Sequence, residues 1–540
     1  MFLHLRPDHL ESEGFRQMEQ EVYLFFKGYV IVEGKLIVGE QFDSILYNHF
    51  LSGELPDRIS DYNGNFVFVI IQGDNIWIGN DRFGIYPLFF LQKEGQYTIS
   101  TKWQRLIPFS GKELHKESVL ELFSFGYVLG EKTLVKNICE FPGASLLHIS
   151  ILPGRLEYRS LNYWKLEHSF RPGRIHRLEL EFVSLWREQF RSYTDYIKEE
   201  GNTCIVPLSG GLDSRLLAHE LDRAGIGIHA FTYGLGEQSG DVITARQVAK
   251  QLSTLLSHDV FYNDQAELQN VINSEVRYER ITHARNYEKE LRRYHELAGF
   301  SRIRMPGYSG DFMAGSHIRH RMRSWDSNQH AIKYIWDFHV TPMVKPGLKS
   351  NRDQMEMLMH SIDQSLPTDR DPVSAFIQWD LDYRQRRYIV RPEVEDNSGP
   401  LSFLLPFFDY RYMDFFLALP YEALLNTRLY TNAQLKYLYE ENHQLIRIKR
   451  DNQKRQRLIR NNLSYEYGNK LKHVWVKFRH RHNPSQLTNW SPEIDWQKEM
   501  TSWNLPEMVL DFKLHTDGAN GAHILYLLSL AKLQKELSEL

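Results

Sequence analysis

One stretch constrains the fold of this chain more than any other: Cys204-Ile205-Val206-Pro207-Leu208-Ser209-Gly210-Gly211-Leu212-Asp213-Ser214-Arg215. An apolar run ends in Ser-Gly-Gly, and an amphipathic segment follows at once. Leu212, Leu216, Leu217 and Leu221 recur at helical spacing, and Gly225 offers a stop. The pattern predicts strand, tight glycine turn, helix. Such a turn aims backbone N–H groups and the positive end of the helix dipole at one point, which suits an anion and above all a phosphate. Gly210 and Gly211 let the backbone approach that anion, since no Cβ intervenes. Ser209 and Ser214 add hydroxyl donors. Asp213 would repel a bare phosphate, and makes sense if a Mg²⁺ ion lies between the two.

Around this motif the chain alternates strands and helices from Thr203 onward, which predicts a parallel sheet covered by helices on both faces, so α/β overall. Leu178 to Tyr196 reads as a long amphipathic helix. The first 165 residues differ. Short apolar runs such as Phe66–Ile71, Asn75–Gly79, Leu88–Leu91 and Leu146–Ile151 are punctuated by turn residues, which predicts a strand-rich α+β front part. The expected division is residues 1–165 and 175–540. At 540 residues, 42% hydrophobic and 13% aromatic, the chain has apolar mass for two cores. Net charge is −3, no apolar run is long enough for a membrane span, and the N-terminus is unlike a signal peptide. Cys139 and Cys204 have no metal-site spacing. The expected compartment is the cytoplasm.

The phrase Ser209-Gly210-Gly211-Leu212-Asp213-Ser214 resembles the pyrophosphate-binding loop of ATP pyrophosphatases, which cut ATP between its α- and β-phosphates. A Walker loop is absent, which argues against γ-phosphate transfer by that route. In the front part, Asp81-Arg82-Phe83-Gly84-Ile85-Tyr86-Pro87-Leu88 and Glu140-Phe141-Pro142-Gly143 resemble the class II glutamine amidotransferase domain of asparagine synthetases. Together the two resemblances indicate the asparagine synthetase-like family. The resemblance implies an Ntn-hydrolase-like front domain, a Rossmann-like ATP-pyrophosphatase domain and a largely helical C-terminal part. It also implies ATP and Mg²⁺ as cofactors.

The family's glutaminase uses an N-terminal cysteine freed by loss of Met1, with its own α-amine as base. Here position 2 is Phe2, and no Cys, Ser or Thr precedes Ser12. The expectation is a front domain that keeps the fold and lacks glutamine hydrolysis. In the synthetase part the resemblance places Leu208 and Tyr233 at the adenine. It places the turn Pro306-Gly307-Tyr308-Ser309-Gly310-Asp311 beside the loop, with Asp213 and Asp311 sharing Mg²⁺. Asparagine synthetases carry Glu where this chain has Tyr308, whereas β-lactam and carbapenam synthetases carry Tyr and use it in the base for an amine nucleophile. The usual Glu-x-Arg before Pro-Phe-x-Asp is replaced by Ser402 and Leu404, so no acidic partner for Tyr308 is evident. The family's lysine, which stabilises charge on the adenylate, maps to Lys449, with Lys436 in reserve.

Residues 447–481 are rich in Lys and Arg against only Asp451 and Glu466, and read as a solvated basic face rather than a nucleic-acid site. His317 and His320 read as lid residues rather than metal ligands. Three readings compete. One is an amide or macrolactam synthetase of the β-lactam synthetase or lasso-peptide cyclase type, acting on a small-molecule or precursor-peptide substrate with a pathway partner protein. Another is asparagine synthesis from ammonia. The third is a non-catalytic relative in a polysaccharide or natural-product pathway. Tyr308 and Phe2 favour the first; intact Asp213 and Asp311 disfavour the third.

Overall fold

The computed structural model describes the chain apart from residues 1, 7–8, 20, 94–95, 154, 235, 263–295, 298–300, 341–350, 392–401, 449–529, 531–532, 535–536 and 539–540. Among the described residues the front part forms two antiparallel sheets. One contains β1 (Phe2–Arg6), β2 (His9–Glu13), β8 (Phe89–Lys93), β9 (Gln96–Ser100) and β10 (Ile138–Glu140), in the order β10-β8-β9-β1-β2. The other runs β12-β11-β7-β6-β4-β3, with β5 paired to β4. Its strands are β3 (Arg16–Gln17), β4 (Val22–Val32), β5 (Lys35–Val38), β6 (Asn63–Gln72), β7 (Asn75–Asn80), β11 (Ser145–Leu152) and β12 (Arg155–Asn162).

Strand β6 explains the layering. All but its end residues are buried, so neither face can meet water. Phe66, Phe68 and Ile70 alternate onto one face and pack with Phe42 and Leu46 of the helix Glu40–Leu51. Val67, Val69 and Ile71 take the opposite face, in a core shared with Leu3 and Ile99 of the other sheet. Two sheets with a helix laid on the outside follow from this one continuous apolar strand, and this matches the expected α+β front fold.

The same core continues into the second part, through Phe182, Trp186 and Tyr193 of the helix Ile175–Glu199. The predicted amphipathic helix is thus present, and it runs three residues beyond Leu178 and Tyr196 at either end. Beyond it lies a parallel sheet ordered β15-β14-β13-β16-β17, made of β13 (Thr203–Pro207), β14 (Gly227–Gly234), β15 (Leu255–Tyr262), β16 (Ile303–Arg304) and β17 (Ser402–Phe403). Helices Leu212–Arg223 and Gly240–Ala249 make the crossovers on the β14–β15 side. The strand order reverses between β13 and β16, and in such sheets the crevice at the carboxyl ends of the strands at this switch point is where ligands bind. Most of the remaining described chain is helical. No helix among the described residues is long and apolar enough to cross a membrane.

Charged groups fasten the front strands to the helical layer. Glu140, at the end of β10, meets Arg387 at 2.9 Å, Arg386 at 3.4 Å and both terminal nitrogens of Arg391. Burial alone would raise the Glu140 carboxyl. The charges of Arg387, Arg391 and Arg386 outweigh it and hold the group below the usual carboxylate range. Asn63 and Asp409 bond each other, Asn63 Oδ1 accepts from the Tyr410 N–H, and Arg82 lies 3.9 Å above the Tyr410 ring while bonding Asp414. Much of the Asp81-Arg82-Phe83-Gly84 phrase is therefore a joint. Gly84 has φ +59° and sits where a Cβ would lie 2.8 Å from an Arg386 nitrogen.

His168 reports on this joint. It is buried, stacked on Phe170, with Nδ1 3.1 Å from Ser374 Oγ. Burial pulls its pKa down to about 4, against the opposing charge of Asp371. An unfolded histidine titrates near ~6.5, so between these values the unfolded chain holds more protons and stability rises with pH. In His168→Gln this proton is gone. Denaturant melts at pH 6.5 and 4.5 should show the wild type losing up to ~2 kcal/mol more than the variant over that interval; parallel losses would contradict the neutral buried imidazole.

Candidate active site

The predicted loop lies at the carboxyl end of β13, between Pro207 and the helix that begins at Leu212. Two constraints shape it. Gly210 adopts φ +66°, and a Cβ there would stand 2.7 Å from Thr244 of the neighbouring helix. A side chain would be strained and would also collide. Inside the loop the Ser214 hydroxyl accepts from the Ser209 N–H at 3.1 Å and lies 3.1 Å from Ser209 Oγ. Ser214 is thus held by the loop it was expected to supplement. Below the loop, the buried guanidinium of Arg215 donates to Gly210 O at 3.0 Å and to the carbonyls of Leu445 and Ile448 at 2.9 and 3.2 Å. Charge-assisted bonds of this kind fix the loop from underneath.

Strand β16 delivers the second phrase beside the first. The Met305 N–H donates to Ile205 O, continuing the parallel ladder, and Pro306 and Gly307 follow. A Cβ on Gly307 would stand 2.6 Å from Ser214 N and 3.0 Å from the Asp213 carbonyl carbon. One on Gly310 would stand 2.9 Å from the Asp213 carboxyl carbon. The missing side chains bring the two backbones together. The result is a bond of 2.9 Å from the Asp311 N–H to Asp213 Oδ2.

The other Asp213 oxygen accepts from the Tyr430 hydroxyl at 2.9 Å. Tyr412 donates to the Gly310 carbonyl at 2.7 Å. Burial, then the Asp213 charge, raise the Tyr430 phenol well above its ordinary value; burial, then Asp213 and Asp311, do the same for Tyr412. Both phenols therefore remain protonated donors. Their positions carry no recognisable spacing in the sequence, and they went unassigned there.

Carboxylates are the ligand type a hard cation takes, and Asp311 is exposed beside the Asp213 carboxylate that accepts its N–H. Among the described residues no group of three or more His, Cys, Asp or Glu could hold an ion by itself. Two carboxylates completed by phosphate oxygens and water is the pattern Mg²⁺ accepts.

Leu208 and Tyr233, which the resemblance assigned to the adenine, lie at the neighbouring ends of β13 and β14. Leu208 N donates to Phe231 O at 2.7 Å, and Leu208 O accepts from Thr232 Oγ1 at 2.6 Å, so Leu208 is tied to the end of β14. Tyr233 is half-buried between Phe231 and Phe261, with ring centroids 5.5 and 5.9 Å away, and its hydroxyl is buried without a hydrogen-bond partner among the described residues. Tyr308 is half-buried and packs against the main core. Its neighbour Ser309 has φ +65° and donates to Gln385 at 2.8 Å.

Two predicted groups are not brought to the loop. Lys436 bonds both oxygens of the buried Glu179, at 3.0 and 2.9 Å, which commits its ammonium to that pair. His317 bonds Asp380 at 2.6 Å and makes no pair with the exposed His320. Lys449 lies outside the described residues, as does nearly all of the basic segment 447–481. Both thiols are disfavoured as nucleophiles. Burial raises Cys204, against the Met305 N–H, and burial with the Glu131 charge raises Cys139. Phe2 is buried in the front core beneath Arg105.

The glycine loop and the Asp213–Asp311 contact meet at the switch-point crevice of an α/β sheet. Comparisons with known proteins supply the family. The asparagine synthase family profile matches residues 201–511, and a glutamine amidotransferase domain profile matches residues 44–160. The first match spans more than half of the chain, which belongs to the asparagine synthase family and carries an amidotransferase-type front domain. The family consists of ATP-dependent ligases that form C–N bonds. Among solved structures, the glutamine phosphoribosylpyrophosphate amidotransferase from B. subtilis complexed with ADP and GMP is 9% identical. It covers 47% of this chain and 73% of its own, at a TM-score of 0.21. A structure described as the allosteric regulatory enzyme of purine biosynthesis is also 9% identical, covering 47% and 72% at 0.19. Similarity that low carries no argument. No curated protein matches.

The glycine contact gives a direct prediction. Gly307→Ala forces a methyl group into the Ser214 backbone and should cost about 1–3 kcal/mol. Gly236→Ala, where the added methyl meets nothing within 4 Å, should cost far less. Paired thermal melts measure the difference, and equal stabilities would refute the tight approach.

Proposed function

We propose that this chain is an ATP-dependent amide-bond-forming synthetase that adenylates a carboxylate, releasing pyrophosphate, and passes the acyl group to an amine. The observation that carries this reading is the Asp213–Asp311 pair, held by a shared hydrogen bond and by Tyr430 at the mouth of the Ser209–Gly211 loop. In this reading residues 1–165 and 175–540 are the two functional parts, the second holding the nucleotide. Ser209, Gly210, Gly211 and Ser214 embrace the pyrophosphate end of ATP, while Leu208 and Tyr233 border the base and Pro306 and Gly307 line the other wall. Mg²⁺, held by Asp213 and Asp311, would supply charge neutralisation on the phosphate oxygens.

Lys449 takes the role of the cation facing the α-phosphate. The described residue before it, Ile448, has its carbonyl anchored to Arg215 beneath the loop, which supports this role. The Tyr308 phenol serves in deprotonating the amine. A tyrosine here, where family members making asparagine carry Glu, favours an amine on a larger molecule, such as a precursor peptide closing a macrolactam, over ammonia. Amidation of aspartate by ammonia is the second reading. The front domain, with Phe2 in a buried apolar site, acts as a structural partner without glutaminase activity. The cytoplasm is the proposed compartment.

Four outcomes test this. Incubation with ATP, Mg²⁺ and candidate carboxylates, followed by ³¹P NMR, should show AMP and pyrophosphate. Asp213→Asn and Asp311→Asn should each lower turnover at least 10³-fold, several kcal/mol of barrier, without loss of fold. ADP and phosphate as products would overturn the reading. Tyr308→Phe keeps the ring and removes the hydroxyl. Exchange of labelled pyrophosphate into ATP should survive, while amide formation falls by roughly 10²–10⁴-fold; equal rates would return Tyr308 to a packing role. Glutamine added with ATP should yield no more glutamate than heat-killed protein does, and excess glutamate would restore the glutaminase.

A further inference from the structure

The turn that brings Asp311 to the loop holds a backbone conformation that its own sequence does not favour. Within it the left-handed backbone falls on Ser309, at φ +65°, and not on Gly307 or Gly310. A side chain in that region crowds the neighbouring carbonyl oxygen, a clash that glycine escapes. Two bonds hold Ser309 there. Its carbonyl accepts from the Met313 N–H at 3.2 Å, and its hydroxyl donates to Gln385 Oε1 at 2.8 Å. Ser309 and Gln385 are both buried, so the second bond has little competition from water.

The orientation of Gln385 is fixed as well. Its segment, Asp380–Val390, winds as a π-helix, in which residues five apart share a face, so Gln385 stands over Asp380. Its Nε2 donates to Asp380 Oδ1 at 2.9 Å. Burial alone would raise the Asp380 carboxyl, but His317, His339 and Arg384 hold it ionised. An ionised carboxylate only accepts, so it takes the amide nitrogen and turns the amide oxygen toward Ser309. The segment itself is anchored to the front domain. Arg386 donates to Phe83 O at 3.3 Å, and Arg387 donates to Val128 O and Gly130 O, both at 2.6 Å.

We infer that Gln385 is a positioning residue: by holding Ser309 in the left-handed region it keeps Asp311 beside Asp213, and so sets the affinity of the site for magnesium pyrophosphate. The inference rests on the reading of the loop and its carboxylates as a magnesium-pyrophosphate site. From Ser309 the constraint reaches that site within two residues. Tyr412 donates to the Gly310 carbonyl at 2.7 Å, and the Asp311 N–H donates to Asp213 Oδ2 at 2.9 Å. Rotation of φ at 309 would swing Gly310 and Asp311 relative to Gly307, which packs on Ser214, and would break the bond to Asp213. Without the Gln385 contact the competent turn is populated only in part, and the apparent affinity falls by that fraction. The strain sits on one residue, so removing the Cβ at 309 removes the need for the contact.

Calorimetric titration of the full-length protein with magnesium pyrophosphate tests this without knowledge of the substrate. Ser309→Ala removes the hydroxyl and keeps the Cβ, whereas Ser309→Gly removes both. The first should weaken binding roughly tenfold, while the second should stay within about threefold of the wild type. Gln385→Met should also weaken binding roughly tenfold, and adding Ser309→Gly to it should bring the affinity back to within about threefold. A buried glutamine that served packing alone would not be rescued by Ser309→Gly. If Gln385→Met fails to fold, the two Ser309 variants decide between them. Wild-type binding that Ser309→Ala leaves unchanged, or that Ser309→Gly weakens as much as Ser309→Ala does, would overturn the inference and leave the magnesium-pyrophosphate reading standing. No binding by the wild type would sink both.

Discussion

The site depends on a contact made possible by absent atoms. At Gly307 and Gly310 two loops from neighbouring parallel strands approach until a single methyl group would collide with Ser214 or Asp213. Without this approach Asp311 could not present its N–H to the Asp213 carboxylate, and the two acidic side chains would have no common neighbour. A parallel sheet provides the setting, because both strands end on the same side and diverge at the switch point. The glycines convert that general crevice into a site with defined distances. Tyr430 and Tyr412 then hold the carboxylate and the Gly310 carbonyl in place, at a cost in buried hydroxyls that their hydrogen bonds offset.

The front domain gains a purpose from the same geometry. Segment Asp380–Val390 touches both parts of the molecule. On one side Gln385 and Asp380 reach Ser309 and His317; on the other Arg386 and Arg387, with Arg391 just beyond, meet Glu140. Removing one member of such a buried cluster leaves unpaired charge and costs about 3–5 kcal/mol. A domain locked in this way supports the turn that carries Tyr308 and Asp311 whether or not it hydrolyses glutamine. The Asp81-Arg82 phrase supports that view, since Asp81 bonds the backbone N–H groups of Phe66, Phe83 and Ile85 while Arg82 reaches across to Tyr410 and Asp414.

Local signals in the sequence carried much of the architecture. The strand, glycine turn and helix at 203–223 were legible because apolar run, turn residues and 3.6-residue period follow one another without a gap. The buried strand Asn63–Gln72 was legible from its unbroken apolar run, and the helix Ile175–Glu199 from its periodicity. What escaped was built from distant pieces. Tyr430 meets Asp213 across 217 positions, and Asp380 meets His317 across 63. No spacing rule links such pairs; only the fold does. Lys436 shows the converse, a lysine in a suggestive stretch that is spent on Glu179.

The central claim is that the loop and the paired carboxylates together accept a magnesium-bound pyrophosphate. Calorimetric titration of the full-length protein with pyrophosphate, in Mg²⁺ and again in EDTA, addresses it without any substrate. The account predicts binding in Mg²⁺ that weakens at least a hundredfold in EDTA, or about 2.7 kcal/mol. Pyrophosphate that binds as tightly in EDTA as in Mg²⁺ would contradict it.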